Sequence, residues 1–194
     1  MSWESHILHI KSKISKGLGI LLKTRKIFNL NILKTLYYSF IYPYLCYGIE
    51  AWGHAAQSHI QSLVKLQKKT VRVITFSGFN AHTAPIFVQL NFLPFSKIRI
   101  SKIALFMFKQ FKKMNPVCLE NMFKINSNVH SYSTRNVYKY HRPFVRTEMY
   151  KKSMIYCGVI IWNYFVDVVV GNCCYHTYKK RIKKFLLCND VPIT

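Results

Sequence analysis

The sequence predicts a mainly α protein, a three-helix bundle over residues 2–77 followed by a second helical region with room for a small β-hairpin. Apolar residues recur every three or four positions along most of the 194 residues, the periodicity that gathers side chains on one face of a helix. Turn-forming clusters, such as Ser77-Gly78-Phe79-Asn80 and Asn91 to Pro94, fall between the periodic stretches. Half of the chain, 51%, is hydrophobic, enough to fill a core of one medium domain or two small ones.

The first helix is expected from Trp3 onward, where Ile7, Ile10, Ile14, Leu18 and Leu21 form one stripe and Lys16 and Lys23 fall on the opposite side. Gly17 and Gly19 each weaken it by about 1 kcal/mol relative to alanine, so a close packing contact or a local irregularity is expected there. The second helix runs through Asn31 to Gly53, the tyrosine-rich stretch NILKTLYYSFIYPYLCYGIEAWG. Asn29 or Asn31 is placed to cap it, and Leu33, Leu36, Tyr37, Phe40, Tyr44 and Tyr47 share a face. Pro43 has no backbone donor and clashes with the preceding turn, so a kink or break is expected near Ser39 to Pro43. The third helix, Ala56 to Phe76, is the clearest amphipathic one. Ile60, Leu63, Val64, Val71 and Ile74 lie on one side, and Lys65, Lys68, Lys69 and Arg72 on the other.

Beyond the first bundle, His82-Thr83-Ala84-Pro85 reads as a helix start with Thr83 as cap and proline in the first turn, followed by a short helix to Leu90. Phe95 to Met114 is helical, with Ile100, Ile103, Ala104, Met107, Phe108 and Phe111 facing a core. The segmentation that follows is a helical extension over 82–123, a loop with short strands over 124–147, and a C-terminal helical region over 148–194. Within the last two, Asn126 to Arg135 is turn-rich, Val137 to Thr147 alternates as one or two strands would, and Ser153 to Phe165 fits helix or strand. Tyr175 to Leu187 is amphipathic, with Tyr178, Ile182, Phe185 and Leu186 on one face and Lys179, Lys180, Arg181, Lys183 and Lys184 on the rest.

Charge narrows the function classes. With 29 basic against 6 acidic residues the chain carries +23, a surplus that calls for a polyanionic partner or must tolerate its own repulsion. Disordered basic tails lack the hydrophobic half present here, so a folded basic protein with nucleic acid as its leading partner is expected. Four cations on one helix face form a ridge able to track phosphates. An exposed basic face is also the ordinary solvated side of a surface helix, but recurrence of the same polarity along the chain raises the weight of the ridge. A membrane-spanning helix needs about 20 predominantly apolar residues, and Lys34, Pro43 and Glu50 weigh against the Asn31 to Gly53 stretch as one. Six cysteines without framework spacing and an N-terminus without a secretory segment point to a reducing compartment, nuclear or cytoplasmic.

Catalytic chemistry is thin. The carboxylates Glu4, Glu50, Glu120, Glu148, Asp167 and Asp190 are scattered, whereas two-metal phosphoryl transfer needs them clustered. Cys173-Cys174-Tyr175-His176 has no second ligand pair at a finger-like distance, and His6, His9, His54 and His59 read as surface histidines near phosphates. No glycine-rich phosphate loop, metal site or small-molecule site is expected.

Several stretches form one ordered pattern: Trp3-Glu4-Ser5-His6-Ile7, Lys13-Ile14-Ser15-Lys16, Gly19-Ile20-Leu21, Leu33-Lys34-Thr35-Leu36-Tyr37-Tyr38-Ser39, Tyr42-Pro43-Tyr44-Leu45, Tyr47-Gly48, Trp52-Gly53, Leu66-Gln67-Lys68-Lys69, Val71-Arg72 and His82-Thr83-Ala84-Pro85. Further on come His130-Ser131-Tyr132-Ser133-Thr134-Arg135, Arg146-Thr147, Ser153, Tyr156, Gly158, Trp162 and Asn163. Taken together in order, they resemble the carboxy-terminal portion of reverse transcriptases of non-LTR (LINE-type, jockey-like) retrotransposons. Two departures stand out: the family usually has proline after the glycine matched by Gly158, where this chain has Val159, and Leu-Pro after Trp-Asn, where it has Tyr164-Phe165-Val166.

The resemblance implies that residues 2–77 are thumb-like and that the parent activity is RNA-directed DNA synthesis. The catalytic palm, with its Tyr-x-Asp-Asp motif and magnesium, is missing from this sequence, as are the fingers. The chain would then be a fragment or decayed copy, inactive by itself, with the missing palm and fingers as partners in a longer polyprotein and no cofactor of its own. Its share of the task would be binding the RNA/DNA template-primer, through Lys65, Lys68, Lys69 and Arg72 first, Lys16 and Lys23 second, and Lys179, Lys180, Arg181, Lys183 and Lys184 third. A non-functional relic and a small basic membrane-associated protein are the alternatives.

Overall fold

The computed structural model describes residues 3–129, 139–166 and 174–189, and the protein is mainly helical. The helices are α1 (Glu4–Thr24), α2 (Leu30–Phe40), α3 (Tyr42–Cys46), α4 (Ile49–Trp52), α5 (Gln57–Ile74), α6 (Thr83–Leu90), α7 (Phe95–Phe111), α8 (Glu148–Lys151), α9 (Met154–Val166) and α10 (Tyr175–Cys188), with 3-10 turns at Val117–Met122 and Asn126–Asn128. The chain forms two compact units, Met1–Arg99 and Ile100–Thr194, divided within α7. The His130 to Arg135 motif, the beginning of the expected strand stretch at Val137, and Asp167, Cys173 and Asp190 lie outside the described residues.

In the first unit α1 packs against α2, α3 and α5 and buries the expected stripe of Ile7, Ile10, Ile14, Leu18 and Leu21. Gly17 is where the chain from α2 to α3 comes closest. A Cβ there would lie 3.0 Å from both the Phe40 carbonyl oxygen and Ile41 Cγ1, whereas one on Gly19 would meet nothing within 4 Å. The two glycines should therefore respond oppositely. Gly19→Ala is expected to raise stability by about 0.5–1 kcal/mol by removing backbone freedom from a helix interior, and Gly17→Ala to lower it by about 1 kcal/mol through overpacking against backbone. Urea midpoints of the two variants check the signs.

The second expected helix is divided rather than kinked. Asn29 caps α2, its side chain accepting from the Ile32 N–H at 3.0 Å. The helix stops at Ile41, whose φ of −121° and ψ of −53° leave the α region, and Pro43 then sits in the first turn of α3, where a missing N–H costs nothing. The break resets the helical phase beyond Ile41, and the expected face is corrected there and at Phe40, the last residue of α2. Leu33 and Tyr37 are buried as expected and Leu36 and Tyr44 only partly, but Phe40 and Tyr47 are exposed, and the core is completed by Ile41, Leu45, Ile49 and Trp52 instead. Gly48, at φ 59°, turns the chain from α3 into α4 through left-handed backbone that glycine enters without penalty. Trp52 locks the short α4, its indole N–H donating to the Tyr47 carbonyl at 2.7 Å and its ring lying edge-on to His6 at 5.7 Å.

A buried glutamine joins three elements of this unit. From α5, Gln67 donates through Nε2 to the Tyr37 hydroxyl and to the Leu93 carbonyl, each at 3.0 Å, and its Oε1 accepts from the Phe95 N–H at 2.8 Å. Tyr37 stacks on Phe92 with ring centres 4.2 Å apart and planes 15° from parallel. Burial pushes its phenol well above the usual range, opposed by the hydrogen bond from Gln67, so it remains a neutral acceptor. At the start of α6 the structure corrects the cap: His82 occupies that position without a side-chain bond, and Thr83 is a buried first residue of the helix.

The second unit centres on aromatic rings. Ile100, Ile103, Ala104, Met107 and Phe108 are buried as expected, Phe111 only partly. Phe108 stacks on Tyr178 of α10 at 4.4 Å, and Phe165 of α9 meets Phe185 edge-on. The stretch that fitted helix or strand is helix α9, with Val159 in its interior where a proline would have broken the hydrogen-bond ladder. Gly158 admits Met107, whose sulfur lies 2.8 Å from where a Cβ would stand. Asn163 fastens the incoming chain, accepting from the Tyr140 N–H at 3.1 Å and donating to the Tyr140 carbonyl at 2.9 Å. The expected strand pair is represented among the described residues by a single antiparallel bridge, Ile125 with Tyr140.

Candidate nucleic-acid interface

Helix α5 owes its exposed face to the completeness of its buried one. Ile60, Leu63, Gln67, Thr70, Val71, Val73 and Ile74 are buried, so the helix cannot rotate without exposing apolar surface and the two paired polar side chains of Gln67 and Thr70. Lys65, Lys68 and Lys69 stand exposed on the far side, and Arg72 is half-buried. Lysines at these spacings are neighbours along one face and repel each other mildly in isolation, so the ridge is held by the core beneath it.

The ridge borders an open groove of about 860 Å³, walled by Lys65, Lys68, Lys69 and Arg72 of α5, Lys11 of α1 and Phe79 from the following loop. Neither an acidic side chain nor a hydrogen bond engages Lys11, Lys65, Lys68 or Lys69 among the described residues. Arg72 has a different standing: its Nε–H donates to the Ala81 carbonyl at 2.9 Å, so it pins the loop as well as adding charge.

Lys11 is the cation that periodicity overlooked. It lies at the rim of the α1 stripe, one turn before Ile14 and Ser15, and reaches the groove because α1 packs on α5. Lys16 and Lys23 are exposed on α1 but are not among the groove's walls. The third basic cluster belongs to the second unit. Around α10, Lys179, Lys180, Arg181 and Lys184 are exposed and fan round the helix beside the buried Tyr178, Ile182 and Leu186. Lys183 is half-buried, and burial together with the neighbouring Lys179 holds its ammonium below the usual lysine range. Five cations spread over that arc do not form one ridge.

Among the described residues no three His, Cys, Asp or Glu side chains converge. No helix among them is long and apolar enough to cross a membrane. No protein-family model, no curated protein and no solved structure matches the chain.

Proposed function

We propose that the first unit binds the sugar–phosphate backbone of nucleic acid, an RNA/DNA hybrid foremost, as the thumb-like part of a non-LTR reverse transcriptase whose catalytic palm is not in this sequence. The observation that carries the reading is the set of four uncompensated lysines, Lys65, Lys68 and Lys69 of α5 and Lys11 of α1, around one groove between helices whose other sides are buried in the core. Lysines facing phosphates release condensed counterions, which gives sequence-independent affinity that falls steeply with salt. An A-like hybrid is then read by backbone shape. The ordered motifs shared with the reverse transcriptase family support the choice of a hybrid over other polyanions.

The test is binding of the purified chain to a labelled hybrid across a salt series, beside a variant combining Lys65→Gln, Lys68→Gln and Lys69→Gln. Arg72 is left in place because it holds the loop. Each lost phosphate contact removes about 0.7–0.9 from the slope of log affinity against log salt, so a decrease of about 2 and a loss of at least tenfold in affinity at low salt are expected. Equal binding and equal slopes for the folded pair of proteins would refute the ridge.

A further inference from the structure

We infer that the groove takes a single-stranded nucleic-acid segment, with the ring of Phe79 as the platform on which an unpaired base stacks; the inference rests on the ridge reading above. Phe79 is 80% exposed, yet it forms a wall of the groove together with the five cations and the uncharged Ser58, Gln61, Ser62 and Leu66. Phosphates have no use for a phenyl ring, and apolar packing does not explain it, because so little of its surface is covered. A basic track ending at an exposed aromatic ring matches the two needs of an unpaired strand, charge along the backbone and a flat apolar surface for a base. Bases within a duplex are already stacked on one another, so only an unpaired one presents its face.

The loop that carries Phe79 is held in place before any ligand arrives. Helix α5 ends with the Ser77 N–H bonded to the Arg72 carbonyl and the Phe76 N–H to the Val73 carbonyl, the pattern in which a left-handed residue reverses the chain. That residue is Phe76, at φ 57°, where glycine is the usual occupant, and the Arg25 guanidinium lies 4.8 Å over its ring. Beyond it the Ala81 N–H bonds to the Gly78 carbonyl, and Arg72 holds the Ala81 carbonyl. Phe79 therefore sits between fixed points, which lowers the ordering cost of binding.

Binding is measured for the full chain with a labelled single-stranded oligonucleotide and with a blunt RNA/DNA hybrid, for the unaltered protein, Phe79→Ala, Phe79→Leu and Phe79→Trp. Because Phe79 is exposed, all are expected to melt together. F79A and F79L should weaken single-strand binding about tenfold, with hybrid binding and its salt slope changed less than about twofold, while F79W keeps single-strand affinity and its added indole emission is quenched on binding. F79L binding single strands as the unaltered protein does would overturn the stacking assignment, as would equal losses on both ligands, and either result leaves the lysine ridge standing. Absence of salt-dependent binding to both ligands by the unaltered protein would overturn the ridge and the platform with it.

Discussion

Gln67→Leu is expected to destabilise the first unit by about 3 kcal/mol while leaving the lysine ridge chemically intact. The change keeps side-chain volume and adds apolar surface, yet it leaves the Leu93 carbonyl and the Phe95 N–H without the partner they have inside the core, and deprives the Tyr37 hydroxyl of its donor. Each buried polar group left unpaired costs about 1–3 kcal/mol, and the gain from leucine offsets only part of the sum. Phe95 and Leu93 lie at the turn into α7, so the loss should appear as a lowered urea midpoint with the slope retained. A midpoint within about 0.5 kcal/mol of the unaltered protein would mean that water replaces the glutamine. The contrast with its neighbours is informative. Lys68→Gln and Lys69→Gln should leave the midpoint in place and weaken nucleic-acid binding, so that adjacent residues of one motif separate into a fold residue and ridge residues.

That separation shows what periodicity conveys and what it omits. The buried stripe of α1, that of α5 except for Val64, which is only half-buried, and the basic face of α5 follow from spacing alone, because a helix with one apolar face has one way to lie on a core. Gln67 was hidden by its polarity: nothing in Leu66-Gln67-Lys68-Lys69 says that an amide points inward until Tyr37 and the turn before α7 are brought to it. Lys11 was hidden for the opposite reason. Its position on the rim of a stripe assigns it to neither face, and only the packing of α1 on α5 turns it toward the groove. Phase was the third loss. The tyrosine-rich stretch keeps one periodicity through Tyr47, but the break at Ile41 rotates everything after it, so Tyr47 comes out and Ile41, Leu45 and Ile49 go in, while Phe40, the last residue of α2, is exposed at the helix end. Phe79 read as punctuation within Ser77-Gly78-Phe79-Asn80, and its place beside the lysines emerges only with the loop closed by Arg72. Several residues of the motifs singled out in the sequence serve the fold directly: Trp52, Gln67, Gly158, Trp162 and Asn163 are packing or clamping positions.

The largest single loss is expected from Trp52→Ala, about 4 kcal/mol. Helix α4 spans only Ile49–Trp52, far below the length at which a helix sustains itself in water, so its geometry depends on what its last residue reaches. Trp52 is 1% exposed, meets His6 of α1 and Phe95 at ring distances of 5.7 Å each, and is tied to the Tyr47 carbonyl. Truncating a buried aromatic of this size costs about 3–5 kcal/mol through lost transfer energy and the cavity left behind. Trp52→Phe separates the contributions. It keeps most of the apolar contact but removes the indole N–H, and should cost about 1–2 kcal/mol. Because α1 carries both His6 and Lys11, loosening this contact reaches the groove as well as the core. Trp52→Ala should therefore lower the melting temperature by 10 °C or more, on the order expected for a unit of this size, and should weaken hybrid binding at temperatures where the fold has begun to open. Melting of the alanine variant within a few degrees of the unaltered protein would show that α1 and α5 hold together without Trp52, and the α3–α4 segment would then be packing onto a core already formed.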